Sequence, residues 1–383
     1  MFYKTDGFTD SKGDLTNTKK AVIISDRMGV RVMAKGQSVR KQDIVFLNIF
    51  FCFVVIFIHA SSEIIEKMNH GQTMFWAVLI LSRLSGFVVQ GFILLSGVKL
   101  FFKAGHMRYG KFYLSRLVSI VIPYVIWVVI YYLYFCYRDF YVFSWSELGH
   151  FLLFGDISAH FYFIVVLVQF YLLAPLWMLL FRRANPAVVL PVTLIISIMF
   201  GMGIGEAAQV IWPELEFSRW DLLFPRYLFY WTTGCMIGLY YREFQNYLRE
   251  KWIVITAFFI LCAALNAWYT VRCIGNGGPW ADQMHTLYCI SAILFFYMLA
   301  QLFTDGGAVF LRPLAGVDRA SYSIYLVHCL VIFITNDILD MRGIVSLPQR
   351  YGIRLLCAYI GSVVLCLLWQ CGKRQIAKIM QKN

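Results

Sequence analysis

Charged residues are scarce in this sequence, and that scarcity excludes most soluble folds. Only 14% of the 383 residues are charged and 60% are hydrophobic, whereas about a quarter of a soluble domain is charged. Apolar runs of bilayer-crossing length recur, without the alternation over about ten residues that a membrane β-barrel needs. We therefore expect an all-α fold, a polytopic membrane helical bundle of about ten transmembrane helices.

The motifs of soluble enzymes are also missing. The sequence contains no HxxxxD box, no GxSxG turn, no Walker phosphate loop and no HExxH zinc motif. It has 10 cysteines but no CxxC pair. Most of these cysteines lie inside apolar runs, where a thiol behaves as a small hydrophobic group. The sequence therefore indicates no metal site, no disulfide framework and no bound cofactor.

The distribution of basic residues predicts an orientation. The apolar runs predict spans at about 44–62, 75–100, 117–136, 160–181, 187–204, 222–241, 252–270, 286–303, 321–338 and 353–371. If the N-terminus is inside, the inside segments and their membrane edges hold 25 of the 34 Lys and Arg residues. The positive-inside rule then places both termini in the cytoplasm, with the protein in the plasma or inner membrane. The net charge of +13 thus comes from basic residues that orient the protein in the lipid bilayer, and no nucleic-acid partner is expected.

Three segments follow from this pattern. Residues 1–43 form a basic, polar lead that we expect to be cytoplasmic and poorly ordered. Residues 44–372 form the membrane bundle, and residues 373–383 form a basic cytoplasmic tail. Because no long soluble domain is predicted, any chemistry is expected inside the bundle or at its mouths.

An ionisable stripe lies on the first span. The stretch FCFVVIFIHASSE (51–63) carries His59 at the end of an apolar run and Glu63 four residues later. Asn48 lies eleven residues before His59, so helical periodicity places all three on one face. Because ionisable groups are costly in a membrane, such residues are site candidates. The alternative is a structural histidine that bonds a neighbouring helix, with Glu63 solvated at the outer mouth.

Further polar residues occupy other spans. Arg83, in the second span, leans toward the outer side and the level of His59, because helical side chains point toward the helix N-terminus. Its guanidinium could neutralise a carboxylate, hold an anion or stabilise an oxyanion, or it could extend to the lipid headgroups. Weaker candidates, each more often structural when alone, are His160, His328, Gln90 and Tyr325.

Several segments together resemble the acyltransferase-3 family of integral membrane O-acyltransferases. They are LNIFFCFVVIFIHASS (47–62), SRLSGFVVQGFILLSG (82–97), FYLSRLVSIVIPYVIW (112–127), HFYFIVVLVQFYLLAPLW (160–177) and ASYSIYLVH (320–328). The resemblance covers about residues 40–372. One position departs from it: the family pattern has Arg or Lys eleven residues before the first-span histidine, and this sequence has Asn48.

The resemblance implies transfer of an acyl group, commonly acetyl, from cytoplasmic acyl-CoA to a hydroxyl, often on a cell-surface glycan. Acyl-CoA would be a co-substrate. His59 would act as general base or carry the acyl group itself, with Glu63 orienting its ring and Arg83 stabilising the oxyanion. The CoA phosphates could meet the basic residues Arg108, Lys111 and Arg116.

Two other functions stay open at this point. One is a membrane exporter or transporter of a polysaccharide or lipid-linked sugar, although no internal repeat is evident between the two halves of the chain. The other is a membrane sensor or assembly factor without chemistry, which Asn48 at the cation position allows. The sequence leaves the acceptor, the acyl chain length and the oligomeric state open.

Overall fold

The computed structural model describes residues 22–24, 31–33, 42–102, 107–181, 185–211, 219–276, 282–305 and 311–380. The chain divides into two compact units, Met1–Lys41 and Gln42–Asn383. In the first unit, β1 (Val22–Ile24) pairs antiparallel with β2 (Arg31–Met33). The rest of the predicted lead lies outside the described residues, except that the first helix of the bundle begins at Gln42.

In the described residues of the second unit, all regular secondary structure is helical. Its α-helices are α1 Gln42–Ala60, α2 Ser62–Lys67, α3 Thr73–Ser85, α4 Val88–Phe101, α5 Tyr109–Arg116, α6 Ile122–Tyr137, α7 Trp145–Phe154, α8 Tyr162–Leu172, α9 Ala174–Phe181, α10 Pro186–Gly201, α11 Ile204–Ile211, α12 Leu228–Leu239, α13 Tyr241–Glu250, α14 Trp252–Asn276, α15 Asp282–Asp305, α16 Leu311–Met341, α17 Leu347–Leu356 and α18 Ser362–Met380. The π-helical segments Leu117–Val121 and Cys357–Gly361 join α5 to α6 and α17 to α18. Two 3-10 turns, Trp220–Leu222 and Phe224–Tyr227, precede α12.

The prediction of an all-α, polytopic bundle is confirmed. In the described chain, seven helices are long and apolar enough to cross a membrane: Gln42–Lys67, Thr73–Phe101, Tyr109–Tyr137, Trp252–Gly275, Gln283–Asp305, Pro313–Met341 and Leu347–Lys373. The pair α8 and α9, bent by 56°, makes an eighth if it is one span.

The predicted count of about ten spans is not confirmed. Helix α10 has 16 residues and α12 has 12, so they are about 24 Å and 18 Å long, against about 30 Å of hydrocarbon. The apolar run at 222–241 is divided because its first residues, including Pro225, form 3-10 turns. Hydropathy counts apolar residues but does not register such a break.

Helix α1 lies at the centre of the bundle and packs against α16, α15 and α4. One side of it contributes Leu47, Phe51 and Val55 to the main core, and the other contributes Ile49 and Ile56 to a second core. Because α1 is surrounded by protein, its polar side chains face other helices rather than lipid. This explains how a strongly apolar helix carries Asn48, His59 and nearby Glu63.

Glycines allow α4 and α12 to approach closely. A Cβ built on Gly234 would lie 2.0 Å from the carbonyl oxygen of Leu94, and one on Gly97 would lie 2.6 Å from that of Trp231. Gly238, one turn after Gly234, meets α4 again. Small residues spaced in this way are typical of helix pairs packed in membranes. The contact fixes α4, which carries Gln90 and Lys99.

Candidate active site

Three histidines from distant parts of the chain meet inside the bundle. The ring centroid of His59, on α1, lies 5.2 Å from that of His328 on α16 and 5.9 Å from that of His160, just before α8. The rings of His160 and His328 are 4.9 Å apart. His160 and His328 are buried, whereas His59 is partly exposed. We call this group the histidine cluster, and His59 is its least buried member.

Hydrogen bonds define the orientation of His328. Its Nδ1 lies 2.7 Å from the carbonyl oxygen of Tyr325, which only accepts, so Nδ1 carries the hydrogen in the neutral ring. Its Nε2 then carries the lone pair and accepts from the Cys329 thiol, with Sγ 3.3 Å away. The Tyr131 hydroxyl bonds both Leu326 and Leu330, on either side of His328 in α16.

His160 is held equally firmly. Its Nδ1 lies 3.1 Å from Oγ of Ser158, and the Tyr325 hydroxyl donates to its backbone carbonyl. Its Nε2 has no hydrogen-bond partner among the described residues, although the side chain is buried. The structure therefore turns an unsatisfied imidazole nitrogen into the interior beside His59 and His328.

The carboxylate of Glu63 is bound by cations. Oε1 accepts from Arg350 at 3.0 Å and from Lys67 at 3.1 Å, and Oε2 accepts from Arg354 at 2.7 Å. Arg354 also donates to the backbone carbonyl of His59 at 3.4 Å. Glu63 was expected to orient the His59 ring. These contacts instead tie the end of α1, which carries that ring, to α17.

Asn48 joins three helices near the beginning of α1. Its side-chain oxygen accepts from Nζ of Lys99 on α4 at 2.6 Å, and its nitrogen donates to Asp318 on α16 at 3.2 Å. Asn48 and Asp318 are both buried. A cation thus lies at the position where the sequence lacked one, and it is supplied by another helix.

Arg83 and Gln90 belong to a second polar region. The Arg83 guanidinium lies within electrostatic range of His285 on α15, and Gly86 packs against the His285 ring. A small cavity of about 50 Å³ is lined by Gln90, Arg226, Tyr230, His285 and Thr286, among others. We call it the His285 pocket. The sequence had predicted that Arg83 reaches toward His59, and this stays a prediction; the interaction seen in the structure is the electrostatic one with His285.

The basic residues proposed for the CoA phosphates are spread along α5. Arg108 and Lys111 are exposed at its start. Arg116, at its end, is partly buried, with its guanidinium 4.5 Å from the ring centre of Tyr171 and 5.1 Å from that of Phe112. Arg108 and Lys111 are therefore open to a ligand, whereas Arg116 is engaged with aromatic rings.

Several residues of the site were missed by the sequence analysis. Cys329 was interpreted as a small apolar residue, and His285 lay just before the predicted span 286–303, whereas it lies within α15. Arg354 fell inside the predicted span 353–371 and Arg350 just before it. Two arginines four residues apart at a span end were the signal that could have indicated a buried acidic partner.

A helical membrane bundle that gathers three imidazoles and a thiol in its interior is an integral membrane protein equipped for chemistry. The chain belongs to the acyltransferase-3 family, because the model of that family's acyltransferase domain matches residues 44–369, most of the chain. The protein is therefore a multi-pass membrane acyltransferase, and the family predicted from the sequence is confirmed. No curated protein and no solved structure matches the chain.

Proposed function

We propose that this acyltransferase moves an acyl group, acetyl in the simplest case, from cytoplasmic acyl-CoA to a hydroxyl of a cell-surface glycan or related acceptor. The observation that carries the proposal is the histidine cluster, inside a bundle of the acyltransferase-3 family. His59 is the partly exposed member, so it is the imidazole that a substrate can reach.

The direct reaction needs His59 as a neutral base. The acceptor O–H bond breaks, its proton passes to the free nitrogen of His59, and the oxygen attacks the thioester carbonyl carbon. The C–S bond then breaks, and the CoA thiolate takes the proton from His59 as it leaves. In the covalent variant, the free nitrogen of His59 attacks the thioester carbon, the C–S bond breaks, and the CoA thiolate takes the proton from the other ring nitrogen. The acceptor hydroxyl then attacks the acyl-imidazole, its proton returns to the ring and the C–N bond breaks.

Lys99, which donates to Asn48, would be the cation that acyl-CoA meets on its way from the cytoplasm to His59. Asn48 lies eleven residues before His59 on α1, or about 16 Å along the helix axis. With the N-terminus in the cytoplasm, as the basic residues indicate, Lys99 lies between the cytoplasmic side and His59. Its ammonium can hold an anionic part of acyl-CoA there while the thioester extends toward the histidine cluster. In this arrangement Arg108 and Lys111 remain the candidates for the outermost phosphates.

The deciding experiment uses sealed membrane vesicles of both orientations, because acyl-CoA does not cross a bilayer. Labelled acyl-CoA added outside should be consumed only by vesicles whose cytoplasmic face is outward. His59→Ala should lower the rate about a hundredfold or more, the usual contribution of a general base. The matched control is His150→Ala, an exposed histidine paired with Asp156, which should retain the wild-type rate. Full transfer by His59→Ala would refute the assigned role.

The second candidate function is transport of a glycan, and the bent helix pair α8 and α9 is the observation that favours it. Its 56° break resembles the discontinuous helices that secondary transporters use at their binding sites, and His160 lies just before it. A transporter would move a glycan across the same vesicles without consuming acyl-CoA. Release of CoA that depends on His59 would decide for the enzyme.

A further inference from the structure

We propose that His59, His328 and Cys329 form a binding site for a soft or borderline transition-metal ion, with Zn²⁺ as the ion to test first. Nothing in the spacing of these residues along the chain indicates such a site, because α1 and α16 are far apart in sequence. The proposal that the ion binds is argued from geometry alone. The proposal that the bound ion affects acyl transfer rests on the proposed function.

The three ligand atoms already lie close together. One imidazole nitrogen each from His59 and His328 and the Sγ of Cys329 are all within 4.8 Å of one another. In a tetrahedral zinc site, bond lengths of about 2.0–2.3 Å place neighbouring ligand atoms about 3.3–3.7 Å apart. The His328 Nε2 to Cys329 Sγ distance of 3.3 Å fits that range. Rotation of the partly exposed His59 side chain would close the remaining gap.

The surroundings of His328 are those of a metal ligand. A metal-bound histidine usually donates its second nitrogen to a carbonyl or carboxylate, which fixes the ring and its tautomer. His328 has this arrangement, with Nδ1 2.7 Å from the Tyr325 carbonyl oxygen. Its Nε2 is therefore presented as a lone pair toward Cys329 and His59 before any ion arrives.

A second, independent observation comes from His160. This side chain is only 2% exposed, yet its Nε2 lacks a hydrogen-bond partner in the described part of the chain. Its ring lies 4.9 Å from that of His328 and 5.9 Å from that of His59. His160 is not among the residues whose ligand atoms lie within 4.8 Å of one another, so a bound ion would give this nitrogen a partner through an ion-bound water.

The donor set selects the class of ion. Imidazole and thiolate suit Zn²⁺ and Cu⁺, whereas Mg²⁺ and Ca²⁺ prefer oxygen ligands. Glu63, the carboxylate at the start of α2 just after α1, is bound by Arg350 and Arg354. On binding, the Cys329 thiol releases its proton to solvent, and the thiolate offsets one charge of the ion.

An ion at this site would block the chemistry proposed above. The His59 lone pair that accepts the acceptor proton would be coordinated to the metal, so Zn²⁺ is expected to be an inhibitor. The proposed transfer uses no atom of Cys329, but its thiol touches His328, so inhibition by zinc is measured in each variant against that variant's own rate without zinc.

The test measures the stoichiometry and affinity of zinc binding by the full-length protein in nanodiscs. Any affinity tag is first removed and the protein is treated with a chelator. Wild-type protein should retain one Zn²⁺ per chain against a competing chelator, and Cys329→Ser should bind at least about tenfold more weakly. Cys262→Ser is the matched control, because this buried cysteine lies on α14. Mg²⁺ should not compete. Equal zinc affinity in wild type and Cys329→Ser, or no saturable binding, would overturn the proposal.

Two further measurements distinguish loss of the metal site from misfolding of the variant and from failure of the proposed function. Co²⁺ bound to wild-type protein should show a thiolate-to-metal charge-transfer band, which needs no variant; its absence would count against Cys329 as a ligand. Zn²⁺ should inhibit transfer by wild type but not by Cys329→Ser, and equal inhibition of both would refute the blocking role. If no acyl transfer is seen at all, the proposed function fails while the zinc stoichiometry still decides the metal site.

Discussion

The imidazoles of the histidine cluster depend on the residues that hold them. The Tyr325 backbone orients the His328 ring, Ser158 engages the His160 ring, and Arg354 fixes the backbone at His59. Position within about half an ångström matters for proton transfer, because misplacement alone can cost orders of magnitude in rate. The supporting residues are therefore as informative to mutate as the imidazoles themselves.

The contact between Lys99 and Asn48 leads to a prediction at this scale. Lys99→Met removes an ammonium that donates to Asn48 at 2.6 Å. A hydrogen bond from a charged group contributes about 1.5–3 kcal/mol, so loss of the contact that Lys99 is proposed to make with acyl-CoA should lower kcat/KM about tenfold or more, mainly through a higher KM for acyl-CoA.

A charge swap makes that prediction specific. Exchanging the two residues, as Asn48→Lys with Lys99→Asn, keeps one cation at the contact and should restore most of the turnover. Lys251→Met, at an exposed lysine between α13 and α14, is the control. If the swap is as inactive as Lys99→Met although its melting temperature is normal, charge at this position is not what matters.

At the level of whole elements, α16 contributes more to the interior than any other described helix. It carries Asp318 at one level and Tyr325, His328 and Cys329 at another. Its neighbour α1 supplies Asn48 and His59 at the corresponding levels. A hydrogen bond from Asn48 to Asp318 and the ring contact of His59 with His328 join the two helices at both levels. The separation between the cation and the histidine cluster is therefore set by two rigid helices rather than by loops.

The glycine contact between α4 and α12 gives the second prediction. Gly234→Ala places a Cβ 2.0 Å from a backbone oxygen of Leu94, so the helices must separate, at a cost of about 1–3 kcal/mol. The melting temperature in detergent should fall. Gly352→Ala is the matched control, because this glycine lies in α17 with nothing within 4 Å of the added atom, and there alanine should be neutral or stabilising. Equal melting temperatures for the two variants would contradict the close packing.

For the molecule as a whole, the cations around Glu63 join the first and last spans. The side chains of Glu63, Arg350 and Arg354 are 7%, 7% and 3% exposed, and removing one partner of a buried ion pair costs about 3–5 kcal/mol. Glu63→Gln should therefore lower the melting temperature strongly and reduce transfer. Glu66→Gln, at an exposed position on the same helix α2, should change neither. An unaltered melting temperature for Glu63→Gln would show that the ion pairs contribute nothing.

The sequence predicted the all-α membrane fold and the family because both depend on local signals. Apolar runs report spans one at a time, and His59, Arg83 and Glu63 stand out as charges in apolar surroundings. Pairings between helices are not local. Whether Glu63 meets His59 or two arginines nearly 300 residues away depends on helix packing, which a single sequence does not encode in any periodicity.

The span count illustrates the same limit. A hydropathy average over 222–241 does not distinguish one long helix from a pair of 3-10 turns followed by the short α12. Likewise, Cys329 looked like any other buried cysteine until His328 and His59 were placed beside it. Composition predicts which residues are buried, whereas function depends on which buried residues are neighbours.

The link from Glu63 to Arg350 and Arg354 also bears on how the protein is made. The ribosome releases α1 long before α17, so His59 reaches the membrane well before the arginines that fix its end of the helix. Until α17 inserts, Glu63 lacks both of these partners. The site is therefore completed only after α17 has been made, and a chain truncated before α17 would have no properly held His59.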